Sequence, residues 1–379
     1  MADTAPIVDA VVIGGGIAGV AAAYHLATAG AQVTVLDQEP ALAQHTTGRS
    51  AAMYLENYGS TPVRRLVLSS RSFLEAPPEG LTDAALLSPR PALEVGGPDD
   101  VDRLHDRARE GAALVPGIRF LTPQEAVAAC PALRLDVLGG AVLAPGCMDL
   151  DVMALHQAFV RGLRRAGGSV QTGAPVVGLE RIPGGWQVQT PEGAITARIV
   201  VNAAGAWGDV VAAMAGVAPV GLRPLHRTAF TVPAPEGVGA RGWPLVHDID
   251  ERWYVKPEGA DLLCSPADET PAEPGDARPR EEDVALALDR INGTTTLDVR
   301  HVRTAWAGLR TFAPDRVPVV GEDSDAPGFV WVAGLGGYGI MTAPAVGMLA
   351  AAAALGLALP PELADRGVDP ADYSATRFR

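Results

Sequence analysis

The apolar positions near the start of the chain predict a strand, a helix and a second strand. Residues 10–13 are four consecutive apolar residues, which is typical of a strand buried on both faces. Residues 17–29 are rich in helix-forming residues and end at Gly30, a common helix stop. Residues 32–36 again have the pattern of a buried strand. This order predicts a βαβ unit.

Turn and capping residues predict further elements along the chain. Thr122 and Glu125 form a capping-box pattern with Pro123 at the first helical position, so a helix should begin there. Asp151 can cap another helix that runs to about Ala166. Helices are also predicted at 61–74 and from about Thr342, and strands at 176–179, 186–189, 198–202, 253–256, 262–263 and 329–333.

Two segments bear on membrane association and secretion. Residues 343–359 carry no charge, but they are rich in Ala and Gly, contain Pro344, and fall short of the ~20 strongly apolar residues that a membrane span needs. A buried helix is therefore predicted there, and no membrane span. The N-terminus has no charged region followed by an apolar stretch, so no signal peptide is expected.

The first predicted strand and helix are joined by a glycine fingerprint. Residues 14–19 read Gly-Gly-Gly-Ile-Ala-Gly, which satisfies GxGxxG at Gly14, Gly16 and Gly19. Gly14 permits the tight turn, Gly16 lets the backbone approach a pyrophosphate, and Gly19 lets helix and strand pack closely. Asp37 ends the second strand, 23 residues after Gly14, where an acid can bind ribose hydroxyl groups. The alternative is a glycine-rich turn without a ligand.

The fingerprint leaves a choice between dinucleotides. Asp37 argues against a 2′-phosphate and therefore against NADP, so NAD and FAD remain. A second Gly-containing strand end recurs far downstream at residues 200–205. A large flavin needs protein along its whole length, so a distant segment that returns to the same sheet favours FAD.

Composition narrows the function classes. The formal net charge of −14 argues against a nucleic-acid-binding surface. Lys256 is the single lysine beside 29 arginines, so Schiff-base, pyridoxal or Walker-type chemistry must use it or be discarded. Cys130, Cys147 and Cys264 form no CxxC or Cys/His cluster, which supports neither a zinc site nor a disulfide framework. A reduced, cytoplasmic compartment is expected.

Four further motifs lie far apart: TGRSAA at 47–52, VNAAGAW at 201–207, WAGLRTF at 306–312 and GGYGI at 336–340. With these motifs the chain resembles, over nearly its whole length, the D-amino-acid-oxidase-like FAD family, and most closely its bacterial D-arginine dehydrogenases. The resemblance implies an α/β fold (α+β overall), in which a Rossmann-type FAD-binding domain of glutathione-reductase type carries an antiparallel-sheet substrate domain. The implied FAD-binding domain is discontinuous, with residues 1–59, 150–217 and 328–379, and the substrate domain comprises 60–149 and 218–327.

The resemblance also implies which residues hold a non-covalent FAD. The expected cofactor-binding residues are Gly14, Gly16, Ile17, Ala18, Gly19, Asp37, Gln38, Arg49, Ser50, Ala51, Val176, Ala204, Gly205, Trp207, Gly336, Gly337, Tyr338, Gly339 and Ile340. The loop with Arg49 should lie near the isoalloxazine, and the backbone around Val176 near the adenine. The N-terminus of the last helix should face the flavin pyrimidine, where its dipole stabilises an anionic reduced flavin.

The substrate residues follow from the same resemblance. The positions of Arg227, Arg310 and Tyr254 imply binding of a substrate α-carboxylate, since an arginine fork can donate two parallel hydrogen bonds. Tyr58 matches a loop tyrosine that closes over the substrate, and the carbonyl of Gly308 should accept a bond from the α-amino group. From the residues alone, each arginine could equally form a structural salt bridge in a strand.

This chain departs from the D-arginine dehydrogenases in its side-chain pocket. Ala92 follows Arg90 and Pro91, where those enzymes have a Glu that holds the substrate guanidinium. Met53, Leu55 and Met341 replace a His, a Thr and a Gln, Leu245 stays apolar, and His247 replaces an apolar residue. The pocket is therefore expected to prefer apolar over basic side chains. Glu56 could restore the acid, although a loop Glu is more often solvated, and His247 could bond a polar substrate group or be structural.

The implied reaction is oxidative deamination of a D-amino acid by hydride transfer from Cα to flavin N5. The imino acid formed would hydrolyse to a 2-oxo acid and ammonia. The first alternative is an oxidase or dehydrogenase of N-alkylated or cyclic secondary amino acids, which would use the same carboxylate clamp. Two further alternatives are a non-catalytic flavin-binding protein and a nicotinamide-dependent enzyme. A dehydrogenase is favoured over an oxidase, although the presence of Lys256 does not decide whether the reduced flavin reacts with oxygen. The expected partners are a small amino-acid substrate and an unidentified electron acceptor, and a monomer is expected.

Overall fold

The computed structural model describes residues 7–235 and 239–379. The strands of this part are β1 (Ile7–Ile13), β2 (Val33–Leu36), β3 (Met53–Tyr54), β4 (Leu87–Pro89), β5 (Ala92–Gly96), β6 (Arg119–Leu121), β7 (Gly140–Ala144), β8 (Met148–Leu150), β9 (Ser169–Gln171), β10 (Gly178–Ile182), β11 (Gly185–Thr190), β12 (Gly193–Asn202), β13 (Arg223–Pro233), β14 (Leu245–Asp248), β15 (Tyr254–Glu258), β16 (Asp261–Ser265), β17 (Thr304–Phe312), β18 (Val319–Glu322) and β19 (Phe329–Ala333). The α-helices are α1 (Ile17–Thr28), α2 (Thr61–Glu75), α3 (Val101–Leu114), α4 (Pro123–Ala129), α5 (Val152–Arg165), α6 (Gly208–Met214), α7 (Glu281–Thr294), α8 (Gly339–Leu355) and α9 (Pro361–Ala364).

The first sheet is built on the predicted βαβ unit. Its strand order is β10-β11-β12-β1-β2-β9, and β19 pairs with the second half of β12. The strands β12, β1, β2, β9 and β19 pair in parallel, and α1 and α8 cover one face of their sheet. The expected α/β class is therefore confirmed.

The second sheet carries the substrate-facing strands. Its order is β17-β13-β16-β15-β14-β5-β7-β6, and the small sheet β3-β8-β4 lies beside it. Every neighbouring pair is antiparallel except β14 and β5, which run parallel. The sheet is thus mixed rather than purely antiparallel, because the chain returns to β14 after a long excursion rather than through a hairpin.

Two elements lie outside the expected division of the chain. Strand β18 pairs with β19 and so belongs to the first sheet, although 218–327 was assigned to the substrate domain. Helix α2 packs against α8, and its Leu66 lies in the core of the first sheet, although 60–149 was assigned in the same way. Both are amphipathic or apolar elements that bury a face against α8 and β19 rather than against the second sheet.

Helix α8 is the apolar segment that was predicted to be a buried helix. It begins at Gly339, three residues before the expected start, and most of its residues are buried. Pro344 lies inside it, and the Ala345 amide donates to the Ser70 hydroxyl of α2 at 3.2 Å. Within the described residues, no helix is both long and apolar enough to cross a membrane.

The predicted helix caps are present. Thr122 accepts from the Glu125 amide, and the Glu125 carboxylate accepts from the Thr122 amide. Asp151 accepts from the Ala154 amide at 2.8 Å, and α5 ends before Ala166. The strand expected at 176–179 begins at Gly178 instead, which leaves Val176 in the loop before β10.

Candidate active site

The glycine fingerprint forms a tight turn between β1 and α1. Gly14 has φ +106°, and a Cβ on it would lie 2.4 Å from the Ala203 carbonyl oxygen. A Cβ on Gly19 would lie 1.9 Å from the Gly14 carbonyl oxygen. Both positions therefore require glycine, for the turn and for the close contact of the helix with the strand.

The N-terminus of α1 keeps backbone donors free for a ligand. The Gly15 amide donates to Asp37 at 2.7 Å, and the Ile17 amide donates to the Thr47 hydroxyl at 3.0 Å. Among the described residues, no hydrogen bond acceptor meets the amides of Gly16 and Ala18. Free amides at a helix N-terminus form an anion site, and here they suit a pyrophosphate.

Asp37 lies at the carboxyl end of β2. Its carboxylate accepts from the amides of Gly15 and Glu39, at 2.7 and 2.9 Å. A carboxylate has about four lone-pair positions, so acceptor capacity is left for ribose hydroxyl groups. Gln38 and Val176 line the same end of the cleft.

One cleft joins this end to the second sheet. Its walls combine residues of the first sheet with residues of the second. Its lining contains the expected dinucleotide residues Gly14, Gly16, Ile17, Ala18, Asp37, Gln38, Arg49, Ser50, Ala51, Val176, Ala204, Gly205, Trp207, Gly336, Gly337, Gly339 and Ile340. It also contains the expected substrate residues Tyr58, Arg227, Tyr254, Gly308, Arg310, Met53, Leu55, Leu245, His247 and Met341.

Three predicted site residues do not line the cleft. Gly19 faces Gly14 within the turn and acts through packing. Ala92 is buried behind the wall, in a cluster with Met53, Cys147 and Leu245. The ring of Tyr338 packs against Tyr58 and Phe312, with ring centroids 5.3 and 6.1 Å apart.

The two predicted clamp arginines lie on neighbouring strands. Arg227 of β13 is opposite Gly308 of β17, and Arg310 is opposite Leu225, so the two arginines are diagonal neighbours on one face. Arg227 donates to the Asp268 carbonyl at 2.9 Å and to Glu269 at 3.3 Å. Among the described residues, Arg310 has neither a hydrogen-bond acceptor nor an acidic partner.

The pKa shifts of the two arginines follow from this arrangement. Burial and the adjacent Arg310 lower the pKa of Arg227. Burial opposes the charged form of Arg310 as well, but Tyr58, Tyr254 and Glu251 outweigh it and raise the pKa of Arg310. Two adjacent guanidinium groups repel each other, so an anion bound between them relieves the repulsion.

Tyr58 and Glu251 meet at the mouth of the cleft. The Tyr58 hydroxyl donates to the Glu251 carboxylate at 3.3 Å, and burial raises the pKa of Tyr58 to about 12. Sequence reasoning missed Glu251, because it lies in an irregular turn between β14 and β15 and belongs to no motif. The one sequence feature that could have indicated Glu251 is its position three residues before the predicted site residue Tyr254.

Glu56 does not supply an acid to the pocket. It is buried and pairs with Arg71 of α2, and it does not line the cleft. The expectation that this loop Glu is solvated was therefore wrong, because α2 brings a guanidinium to it. The walls near the clamp are apolar, with Met53, Leu245 and Met341 all buried.

Lys256 lines the cleft but is engaged elsewhere. Its ammonium group donates to Asp149 at 3.1 Å and to Glu258 at 2.5 Å. Asp149 also accepts from Arg90 at 2.7 Å. The single lysine is thus held in a network of ion pairs at the pocket wall, and this network fixes β8 against β15.

His156 of α5 contacts the backbone of the fingerprint turn. Its Nε2 atom lies 2.9 Å from the Gly15 carbonyl oxygen, and the side chain is 2% exposed. Burial lowers the pKa of His156, so the neutral ring donates from Nε2 to this carbonyl. Nothing in the sequence pattern of α5 indicated this partner.

The family model described as FAD dependent oxidoreductase (DAO) matches residues 9–353. The chain belongs to the FAD dependent oxidoreductase family. The cofactor of this family member is FAD, and the free amides of the fingerprint turn and the long cleft fit it. All three cysteines are buried, and none of them is among the cleft-lining residues that the structure describes.

Curated relatives and solved structures agree with this family. Dimethylglycine dehydrogenase from Rattus norvegicus is 26% identical over 362 residues, which cover 89% of this chain and 42% of that protein. Sarcosine dehydrogenase from Homo sapiens is 25% identical, with coverage of 88% and 38%. The chain thus spans about two fifths of the length of these relatives. Glycine oxidase from Bacillus licheniformis is 24% identical, and the match covers 92% of this chain and 93% of that protein.

The solved structures show the fold. Glycine oxidase from Geobacillus kaustophilus superposes with a TM-score of 0.87 at 23% identity, over 99% of this chain and 100% of that one. L-Proline dehydrogenase from P. horikoshii gives a TM-score of 0.85 at 23% identity, over 99% and 98%. The FAD dependent oxidoreductase fold therefore extends through both sheets.

Proposed function

We propose that this FAD dependent oxidoreductase oxidises the amine carbon of a small α-amino acid. The observation that carries the proposal is Arg310, a guanidinium in the cleft with no acidic partner among the described residues. A buried or half-buried cation without a counter-ion is costly, so the site is completed by an anion. A carboxylate suits it, because a guanidinium donates two parallel hydrogen bonds to a carboxylate.

The residues of the second sheet orient the substrate. Arg310 and Arg227 hold the carboxylate, with Tyr254 beside them, and Glu269 keeps the Arg227 side chain fixed. The carbonyl of Gly308 accepts from the substrate amine. When bound, FAD supplies the two-electron oxidation of the C–N unit. The imine product hydrolyses in water to an oxo acid and an amine or ammonia.

Tyr58 excludes water from the bound substrate. It lies in the loop between β3 and α2 and meets Glu251 across the mouth. A closed mouth holds the substrate in one orientation. This raises the rate of the reaction, because the reacting carbon is kept in a productive geometry.

The favoured substrates are D-amino acids with apolar side chains. The apolar wall of Met53, Leu245 and Met341 supports this choice, and so does Ala92 in the position of the acid that binds a guanidinium in the D-arginine dehydrogenases. Those enzymes share the TGRSAA and WAGLRTF motifs with this chain. The wall formed by Met53, Leu245 and Met341 offers a basic side chain no counter-ion.

N-Alkylated or cyclic amino acids are the second candidate class. Relatives named dimethylglycine dehydrogenase and sarcosine dehydrogenase favour it, and so does the likeness to L-proline dehydrogenase. The clamp would serve both classes, since each presents an α-carboxylate next to the amine. We favour a dehydrogenase over an oxidase, and the ion pairs of Lys256 with two carboxylates support a structural role for this lysine.

An anaerobic flavin-reduction screen tests the proposal. Purified holoenzyme is mixed with glycine, D-alanine, D-leucine, D-arginine, sarcosine, dimethylglycine and proline, and flavin bleaching is followed spectrophotometrically. Bleaching by D-leucine in preference to D-arginine is expected. Preference for sarcosine or proline would select the second class, and D-arginine as the best substrate would overturn the side-chain assignment. If no amino acid bleaches the flavin, the proposed function is wrong.

A further inference from the structure

An acidic side chain is fixed at the mouth of the cleft. Glu251 has φ +54°, in the turn between β14 and β15, and its amide donates to the Asp248 carbonyl at 2.9 Å. Arg252 donates to the Asp248 carboxylate at 2.7 and 2.8 Å, which fixes the same turn. A non-glycine residue in the left-handed region costs conformational energy, and these hydrogen bonds hold the backbone of the turn in that conformation.

Glu251 is unpaired in the described part of the chain. Its carboxylate accepts from the neutral Tyr58 hydroxyl, and no arginine, lysine or histidine forms an ion pair with it there. Arg310 is unpaired in the same cleft and close enough for Glu251 to raise its pKa. The cleft therefore presents one free cation at its floor and one free anion at its mouth.

The charged residues around Glu251 are of both signs, and Arg252 directly follows it. Glu94 of β5 lies opposite His247 of β14, and burial raises the pKa of Glu94. The Glu251 carboxylate raises it further, whereas His247 and Arg107 lower it. Arg107, whose side chain is exposed, forms an ion pair with Glu94 through its Nε at 3.9 Å.

We propose that Glu251 is a specificity-determining residue that selects the charge of the substrate. An amino acid with a neutral side chain places its carboxylate on Arg310 and its amine at the Gly308 carbonyl, and it brings no further charge towards Glu251. A second carboxylate on the substrate would approach the Glu251 carboxylate and be repelled. This inference rests on the proposed function for its substrate class, and it predicts that dicarboxylic amino acids are rejected although the clamp binds carboxylates.

The test replaces Glu251→Gln, which keeps the shape and the acceptor for Tyr58 but removes the charge. The specificity ratio compares kcat/KM for D-alanine with that for D-aspartate, each measured with the holoenzyme and an artificial electron acceptor. The ratio should fall about tenfold in the variant, and the fall should shrink in high salt because screening weakens the repulsion. Glu110→Gln is the matched control, since it removes one exposed carboxylate of α3 outside the cleft.

A binding measurement keeps the inference independent of turnover. Propionate and succinate are titrated into the holoenzyme, and their dissociation constants are read from perturbation of the flavin spectrum. Glu251→Gln should strengthen succinate binding about tenfold relative to propionate. An unchanged ratio in both measurements would overturn the role of Glu251, whatever the substrate screen shows. A changed binding ratio without turnover of any amino acid would support Glu251 and reject the proposed function.

Discussion

Arg310 has no acidic partner in the described residues, whereas Arg227 on the neighbouring strand donates to Glu269 at 3.3 Å. Glu269 is itself held by Arg316, at 3.0 and 2.7 Å. The two clamp arginines are therefore unequal: one is fixed by the protein, and the other is free to take its charge partner from the substrate. This inequality assigns Arg310 the larger share of carboxylate binding.

Replacing Arg310→Met should lower kcat/KM by about 100-fold or more. A charged hydrogen bond contributes about 1.5–3 kcal/mol, and Met leaves the substrate carboxylate without its main partner. Steady-state kinetics with the best substrate of the screen measures the loss, and the absorbance of bound flavin should be unchanged. Arg303→Met is the control, because Arg303 is exposed and lies outside the cleft. Wild-type kinetics in Arg310→Met would remove this residue from the site.

Replacing Asp37→Asn should weaken FAD binding about tenfold or more. The carboxylate accepts from the Gly15 and Glu39 amides, and an Asn amide group must turn one donor towards these amides or towards the ribose. Flavin fluorescence after dilution measures the dissociation constant. Asp9→Asn provides the comparison, since Asp9 accepts from the Gln32 amide at the opposite end of the same two strands. Equal FAD affinity in both variants would contradict the role of Asp37.

Acid treatment of the wild type should also release the flavin into the supernatant, as expected of a non-covalent cofactor.

The sequence predicted the residues whose role depends on local pattern. The turn at Gly14, the cap at Thr122 and the buried strand 329–333 follow from neighbouring residues, and the structure has them where they were expected. Arg310 was found through a motif within a strand. The division into domains was less predictable, because β18 and α2 are assigned by what they pack against rather than by their own sequence.

The residues that sequence reasoning missed act through distant partners. His156 reaches the Gly15 carbonyl across 141 positions of the chain. Glu251 faces Tyr58 across 193 positions. Hydropathy and spacing describe a residue's own element, so they cannot report contacts between elements that only the tertiary fold brings together.

Replacing Gly19→Ala should disrupt the fingerprint turn. The new Cβ would lie 1.9 Å from the Gly14 carbonyl oxygen, and this clash is with backbone rather than with a flexible side chain that could move. We expect loss of bound FAD and a stability loss of about 1–3 kcal/mol, as for overpacked sites. Gly293→Ala is the matched control, because Gly293 is also helical and nothing lies within 4 Å of its added Cβ. That variant should be neutral or slightly stabilised, since Ala is the better helix former. Thermal unfolding and the flavin-to-protein absorbance ratio would show whether the two variants differ as expected.

His25 should make the stability of the protein depend on pH between about 4 and 6.5. It is packed in α1 against Gly347 of α8, its Nε2 has no partner among the described residues, and burial lowers its pKa to about 4. The unfolded chain, with an ordinary histidine pKa near ~6.5, therefore binds more protons than the folded one in this range. The stabilisation from the neutral ring is complete above the unfolded pKa and is lost as pH falls towards the folded pKa. Between pH 7 and pH 5 this loss amounts to about 2 kcal/mol. The free energy of unfolding is measured in urea at both pH values. Between pH 7 and pH 5 it should fall less in His25→Leu than in the wild type. His301→Leu removes an exposed histidine and should lose as much as the wild type. Equal losses in the wild type and His25→Leu would show that the ring of His25 takes up a proton without unfolding the helix pair.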